Sequence, residues 1–168
     1  MDKTGGQVSK GTPIKSDGRK LRILITDDSK LLRKKLRDEL ENLGCEVIEA
    51  TNGKEAITVD LENEPDGVFL DIVMPEVGGI EALQVIREVS PDVPVVMLSS
   101  AGTPQKLMQT LKMGAIDFIQ KPYSREQIAR AVESIRRTRE KNLRKAAKKA
   151  AEEEAEENKS TDEGGLQK

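Results

Sequence analysis

Four places in the chain gather side chains whose types could do chemistry together. They are the adjacent acids Asp27 and Asp28, a lone Asp71 behind an apolar run, the hydroxyls Ser99 and Ser100, and Lys121 before Pro122. Two like charges about 4 Å apart repel by roughly 4 kcal/mol at an effective dielectric near 20. Three carboxylates sharing one pocket therefore need a cation. Lys121 is one, and oxygen donors without His or Cys favour Mg²⁺ over zinc or copper. The chain has no histidine. That excludes Ser-His-Asp and Cys-His mechanisms, a His-ligated metal, and service as a phosphohistidine carrier. Each residue also has a plainer reading: Asp28 as a helix N-cap, Ser99 as a turn residue, Lys121 as solvated surface.

What would bring them together is a repeating pattern of strand and helix. Leu21, Ile23, Leu24 and Ile25 form a short apolar strand that runs into Asp27-Asp28. Leu32, Leu36, Leu40 and Leu43 then mark one face of a helix that stops at Gly44. Val47–Ala50 reads as the second strand, and Asn52-Gly53-Lys54-Glu55 as a capping box opening a helix. Val68–Asp71 is the third strand, followed by a Pro/Gly loop and a helix over about 79–89. Val95–Ser100 is the fourth strand, and Thr103-Pro104 caps the next helix. Asp117–Gln120 is the fifth. Ser124-Arg125-Glu126-Gln127 opens the last helix, with Ile128, Val132 and Ile135 inward. Short apolar strands alternating with helices predict an α/β fold, a doubly wound parallel sheet of five strands covered by five helices on both faces. In such sheets ligands bind beyond the carboxyl ends of the strands, where Asp27, Asp28, Asp71, Ser99 and Lys121 all fall.

Composition supports a soluble single domain with appendages. The net charge of −2 shows no global bias toward nucleic acid, and no apolar run approaches the roughly 18 residues of a membrane span. The opening residues lack the apolar stretch of a secretory signal. Cys45, the one cysteine, reads as a small buried hydrophobe in a reducing, cytoplasmic setting. Residues 1–20 read as a flexible basic tail, 21–138 as the domain, and 139–168 as a charged tail, helical and then disordered. Residues 136–149 carry a net +7, and 152–157 hold five glutamates. With no Gly or Pro before Gly164, the last helix is expected to extend as an exposed rod.

The order Asp27-Asp28-Ser29, Asp71-Ile72-Val73-Met74-Pro75, Ser99-Ser100-Ala101 and Lys121-Pro122-Tyr123 resembles the receiver domain of two-component response regulators, and stand-alone CheY-like proteins in particular. The intervals of 43, 28 and 22 residues between Asp28, Asp71, Ser99 and Lys121 are similar to those of that family, and the resemblance covers 21–138. It implies that Asp71 accepts a phosphoryl group from a phosphohistidine on a sensor histidine kinase or phosphotransfer protein. It implies Mg²⁺ on Asp27, Asp28, Asp71 and the Val73 backbone carbonyl. Lys121 and Ser99 then contact the phosphoryl group, and Phe118 is the switch aromatic that moves as Ser99 does. A cis bond at Lys121-Pro122 is implied as well. A downstream protein would dock on the face of the fourth helix, fifth strand and fifth helix.

The chain departs from the family at several points. Ser99 replaces a threonine, Phe118 lacks a phenol, and Gly78-Gly79 stands where Asp-Gly is frequent. Val73 and Ala101 can orient no water, so slow loss of the phosphoryl group is expected. The function read here is a response regulator that switches partner binding, in chemotaxis or as a phosphorelay intermediate or adaptor. A phosphatase or mutase with an aspartyl phosphate is disfavoured, since those place Asp-x-Asp after the first strand. A nucleic-acid module rests only on the basic segment 136–149, for which a solvated helical face is the simpler reading.

Overall fold

The computed structural model describes residues 19–100 and 104–166. The expected N-terminal tail, Ala101 and the Thr103 cap lie outside them. Five strands and five helices alternate: β1 Arg22–Thr26, α1 Lys30–Asn42, β2 Glu46–Ala50, α2 Gly53–Asn63, β3 Gly67–Asp71, α3 Gly79–Val89, β4 Val95–Ser99, α4 Pro104–Lys112, β5 Asp117–Gln120 and α5 Arg125–Leu166. All pairings are parallel, in the order β2-β1-β3-β4-β5. The strand order reverses direction between β1 and β3, which opens a crevice at their carboxyl ends.

Strand alternation explains the two cores. Ile23, Ile25, Phe69, Val96 and Leu98 point to one face, where α1 contributes Leu36 and Leu40 and α5 contributes Ile128, Ala131, Val132 and Ile135. Leu24, Val68, Leu70, Val95 and Met97 point to the other, under α2, α3 and α4 through Ala56, Ala82, Leu83, Ile86 and Leu107. Burying each large aliphatic side chain stabilises by about 1.5–3 kcal/mol. Only β3 and β4 are buried along their whole length, and β1 is buried from Ile23 onward. The edge strands β2 and β5 alternate instead, with Glu46, Phe118 and Gln120 exposed. Sequence polarity at Glu46, Glu49, Asp117 and Gln120 reflects this: an edge strand has one neighbour and thinner helix cover.

Local capping sets the helix starts. Ser29 Oγ accepts from the Leu32 amide at 3.3 Å and caps α1, so the cap is Ser29 and not Asp28. Asn52 Oδ1 accepts from the Glu55 amide at 2.8 Å, and Glu55 Oε1 accepts from Thr51 at 2.9 Å, one residue before the expected partner. Ser124 and Gln127 make the reciprocal pair at the start of α5. That helix leaves the sheet behind. Among the described residues its last tertiary ion pair and hydrogen bond are Arg139 with buried Asp66 and Asn142 Nδ2 donating to the Asp92 carbonyl at 2.9 Å.

Candidate functional site

β1, β3, β4 and β5 end at one rim, and each delivers a residue there. The register sets Thr26 beside Leu70, Asp71 beside Leu98, and Ser99 beside Gln120. Asp27, Asp71, Ser99 and Lys121 therefore converge within one layer of the sheet. Asp27 and Asp71 are 1% and 3% exposed. The Lys121 ammonium lies 2.7 Å from Asp27 Oδ2 and 2.8 Å from Asp71 Oδ2. Its alignment makes a hydrogen bond to Asp71, while the Asp27 contact is an ion pair without directional bonding. Asp28 is exposed at the mouth, and one carboxylate oxygen from each of Asp27, Asp28 and Asp71 lies within 4.8 Å of the others.

Burial pushes the Asp71 carboxyl above its ordinary value; Lys121 opposes that rise and the Asp27 charge adds to it. Burial also works against the Lys121 charge, but the two carboxylates outweigh it and hold its pKa above the ordinary one. Three carboxylates within reach of one another, with oxygen donors only, fit a hard divalent cation such as Mg²⁺. Asp27, Asp28 and Asp71 would hold it. Ser99 is 1% exposed, and its Oγ has no hydrogen-bond partner among the described residues. A buried, unmatched hydroxyl at a cation site is suited to an incoming oxygen-rich group. Phe118 lies on β5 at 37% exposure, outside the core. Val73 is 55% exposed, and its amide donates to Asp71 Oδ1 at 3.3 Å. The Lys121-Pro122 peptide is cis, and the Lys121 amide donates to the Ser99 carbonyl at 2.7 Å, tying two site loops together.

Three supports escaped the sequence reading. Arg33 donates through Nη1 to the Asp27 carbonyl at 2.8 Å and through Nε to Glu49 Oε1 at 2.9 Å, clamping the acidic loop to α1 and β2. Its only sequence signal is a basic residue within the first turns after the acid pair. Gly79 packs so closely that a Cβ would sit 2.1 Å from the Asp71 carbonyl oxygen. Gly53 does the same against the Val77 carbonyl at 2.4 Å, beside its own 3.1 Å amide bond to that oxygen. The Gly78-Gly79 pair therefore permits a tight approach after β3. It lets α3 start against the strand end, and Gly78 is held by Glu81 at 3.3 Å.

A doubly wound sheet with a lysine-bridged acid cluster at its switch point defines an α/β protein with a candidate cation site at the carboxyl edge of its sheet. Residues 23–133 match the response regulator receiver domain family, and the chain belongs to it. It is 37% identical over 115 residues to the chemotaxis protein CheY of Thermotoga maritima, covering 68% of this chain and 96% of that one. A CheX-CheY-BeF3-Mg complex from Borrelia burgdorferi superposes with a TM-score of 0.71 at 34% identity, over 75% of this chain and 97% of that chain. A protein-glutamate methylesterase/protein-glutamine glutaminase of Archaeoglobus fulgidus is 45% identical over 105 residues, 61% of this chain but 30% of that enzyme. No helix among the described residues is long and apolar enough to cross a membrane.

Proposed function

We propose that the chain is a phosphoacceptor switch in which Asp71 takes a phosphoryl group from a phosphohistidine on a sensor histidine kinase or phosphotransfer protein. The carrying observation is the Lys121 ammonium held between Asp27 and Asp71 at 2.7 and 2.8 Å on a buried rim that fits a cation. An Asp71 carboxylate oxygen attacks phosphorus, the P–N bond to the donor imidazole breaks, and the ring nitrogen keeps the electron pair. Asp27, Asp28, Asp71 and the Val73 carbonyl would bind Mg²⁺, which when bound neutralises charge on the phosphoryl oxygens. Lys121 steers the same oxygens and holds Asp71 in place. The unmatched Ser99 hydroxyl donates to a phosphoryl oxygen and, in moving toward it, vacates space for Phe118. Phe118 lies on β5, between α4 and α5, so its movement reshapes the face on which a downstream protein docks. On this reading the protein signals by binding and turns over no small substrate. The likeness to CheY favours a chemotaxis output.

The experiment is labelling with acetyl phosphate. Wild type with Mg²⁺ should take up an acid-stable, hydroxylamine-labile phosphate, while Asp71→Asn and EDTA-treated wild type should take up none. Equal labelling of Asp71→Asn would overturn the assignment.

A further inference from the structure

α5 continues for more than thirty residues past the family match, which ends at 133. Its charge pattern changes along that length. From Glu133 to Arg144 acids and bases interleave and pair within the helix: Glu133 with Arg136 and Arg137, Arg136 with Glu140, and Glu140 with Arg144. Beyond Arg144 the charges separate into blocks. Residues 141–149 carry five bases and no acid, and 152–157 carry five acids and no base. None of the described residues from Lys145 to Thr161 makes an ion pair, and all are exposed. Within one helix the blocks meet only at their junction, at Lys148–Glu152, Lys149–Glu152 and Lys149–Glu153, with Lys on the N-terminal side, the weaker orientation.

The two blocks are mirror complements about Ala150 and Ala151. We infer that this extension is a self-association element, in which the helices of two copies lie antiparallel with each basic block alongside the other's acidic block. Centred on Ala150–Ala151, that arrangement brings Lys149 to the second copy's Glu152 and Lys145 to Glu156 along the facing surface, and symmetry repeats both pairings. Lys148 and Glu153 flank that surface, where base again lies beside acid. A parallel pair would instead set like charge against like. Exposed ion pairs are individually weak and screened by salt, so the dimer is weak and salt-sensitive.

Sedimentation of the full chain at concentrations up to about 1 mM, where roughly 4 kcal/mol of association gives a measurable dimer, tests this. In 20 mM NaCl a dimer is expected, at least tenfold weaker in 300 mM NaCl. Two variants separate the blocks: Arg144→Glu, Lys145→Glu, Lys148→Glu, Lys149→Glu in one, and Glu152→Lys, Glu153→Lys, Glu156→Lys, Glu157→Lys in the other. Each alone should be monomeric, and an equimolar mixture should recover the dimer. Helix content by circular dichroism and thermal melting check that both fold. Orientation is read by oxidative cross-linking, for which buried Cys45 is a silent background. Lys149→Cys should cross-link to itself, since it faces its counterpart about 4.5 Å away along the axis. Lys141→Cys should not, because it sits about 28 Å from its counterpart in an antiparallel pair. A monomeric wild type in low salt overturns the inference, as does a dimer that survives in either variant, a mixture that stays monomeric, or self-cross-linking at position 141. Monomeric wild type that sediments with anionic phospholipid vesicles would assign the basic block to a membrane surface instead.

Discussion

At the level of single residues the rim is a balance of three carboxylates against one ammonium, and the four do not share it equally. Lys121 contacts Asp27 and Asp71, leaving Asp28 at the exposed mouth. Removing Lys121 leaves two facing carboxylates with almost no solvent. Lys121→Met should therefore destabilise the metal-free protein by about 3 kcal/mol. Asp28→Asn should do the opposite, raising stability in EDTA slightly, by no more than roughly 0.5 kcal/mol given its exposure, while weakening Mg²⁺ binding. The direction is secure against a capping effect because Ser29 caps α1. Urea titration of both variants in EDTA is the measurement. A destabilised Asp28→Asn would show that the acidic cluster is not under mutual repulsion.

Between elements, the loops that carry the site are positioned by contacts made elsewhere. Arg33, on α1, joins the Asp27 carbonyl to Glu49 on β2, and Arg37 reaches the same glutamate. The acidic loop is thereby held by a neighbouring strand that contributes no ligand. Arg33→Gln should lower Mg²⁺ affinity about tenfold, as loss of a supporting partner does, without removing a ligand. A metal titration followed by intrinsic Tyr123 fluorescence or by calorimetry would read it, and unchanged affinity would confine Arg33 to folding. Gly79 and Gly53 act through shape, admitting backbone where a Cβ would collide with the Asp71 and Val77 carbonyls.

For the molecule as a whole, the end of the packed domain lies in the middle of a continuous helix. Arg139 neighbours Asp66, which is fully buried and accepts from the Arg22 amide at 2.8 Å, and Asn142 holds the Asp92 carbonyl. Truncation after Thr138 removes both and should cost about 1–2 kcal/mol. Truncation after Arg144 should leave thermal stability and acetyl phosphate labelling unchanged. Equal stability of the two truncations would show that the Arg139 and Asn142 contacts add nothing. Cys45 links pH to global stability. Burial, with a smaller contribution from Asp66, pushes its thiol from 9.0 up to about 12. In that interval the folded chain keeps a proton that the unfolded chain has lost, so stability falls as pH rises, by about 1.4 kcal/mol per pH unit from this group. Urea midpoints at pH 8, 9 and 10 should fall in wild type and fall less in Cys45→Ala.

Periodicity and strand-end chemistry were enough to place Asp27, Asp28, Asp71, Ser99 and Lys121 at one sheet edge before any coordinates, because a parallel sheet puts all its carboxyl ends on one side. Those signals are local, each written within a strand and the few residues after it. Helix order and the Ser124–Gln127 start of α5 were legible for the same reason. What tertiary structure decided was non-local. The lysine bridges Asp27 to Asp71 across residues far apart in sequence, and Arg33 rather than a neighbour of the acids holds their loop. The N-cap passes from Asp28 to Ser29 because the Asp27 side chain turns back to the Ser29 amide at 2.9 Å. The folded domain also reaches past Thr138, since Arg139 and Asn142 find partners on segments more than 45 residues earlier, which no pattern within the helix itself records.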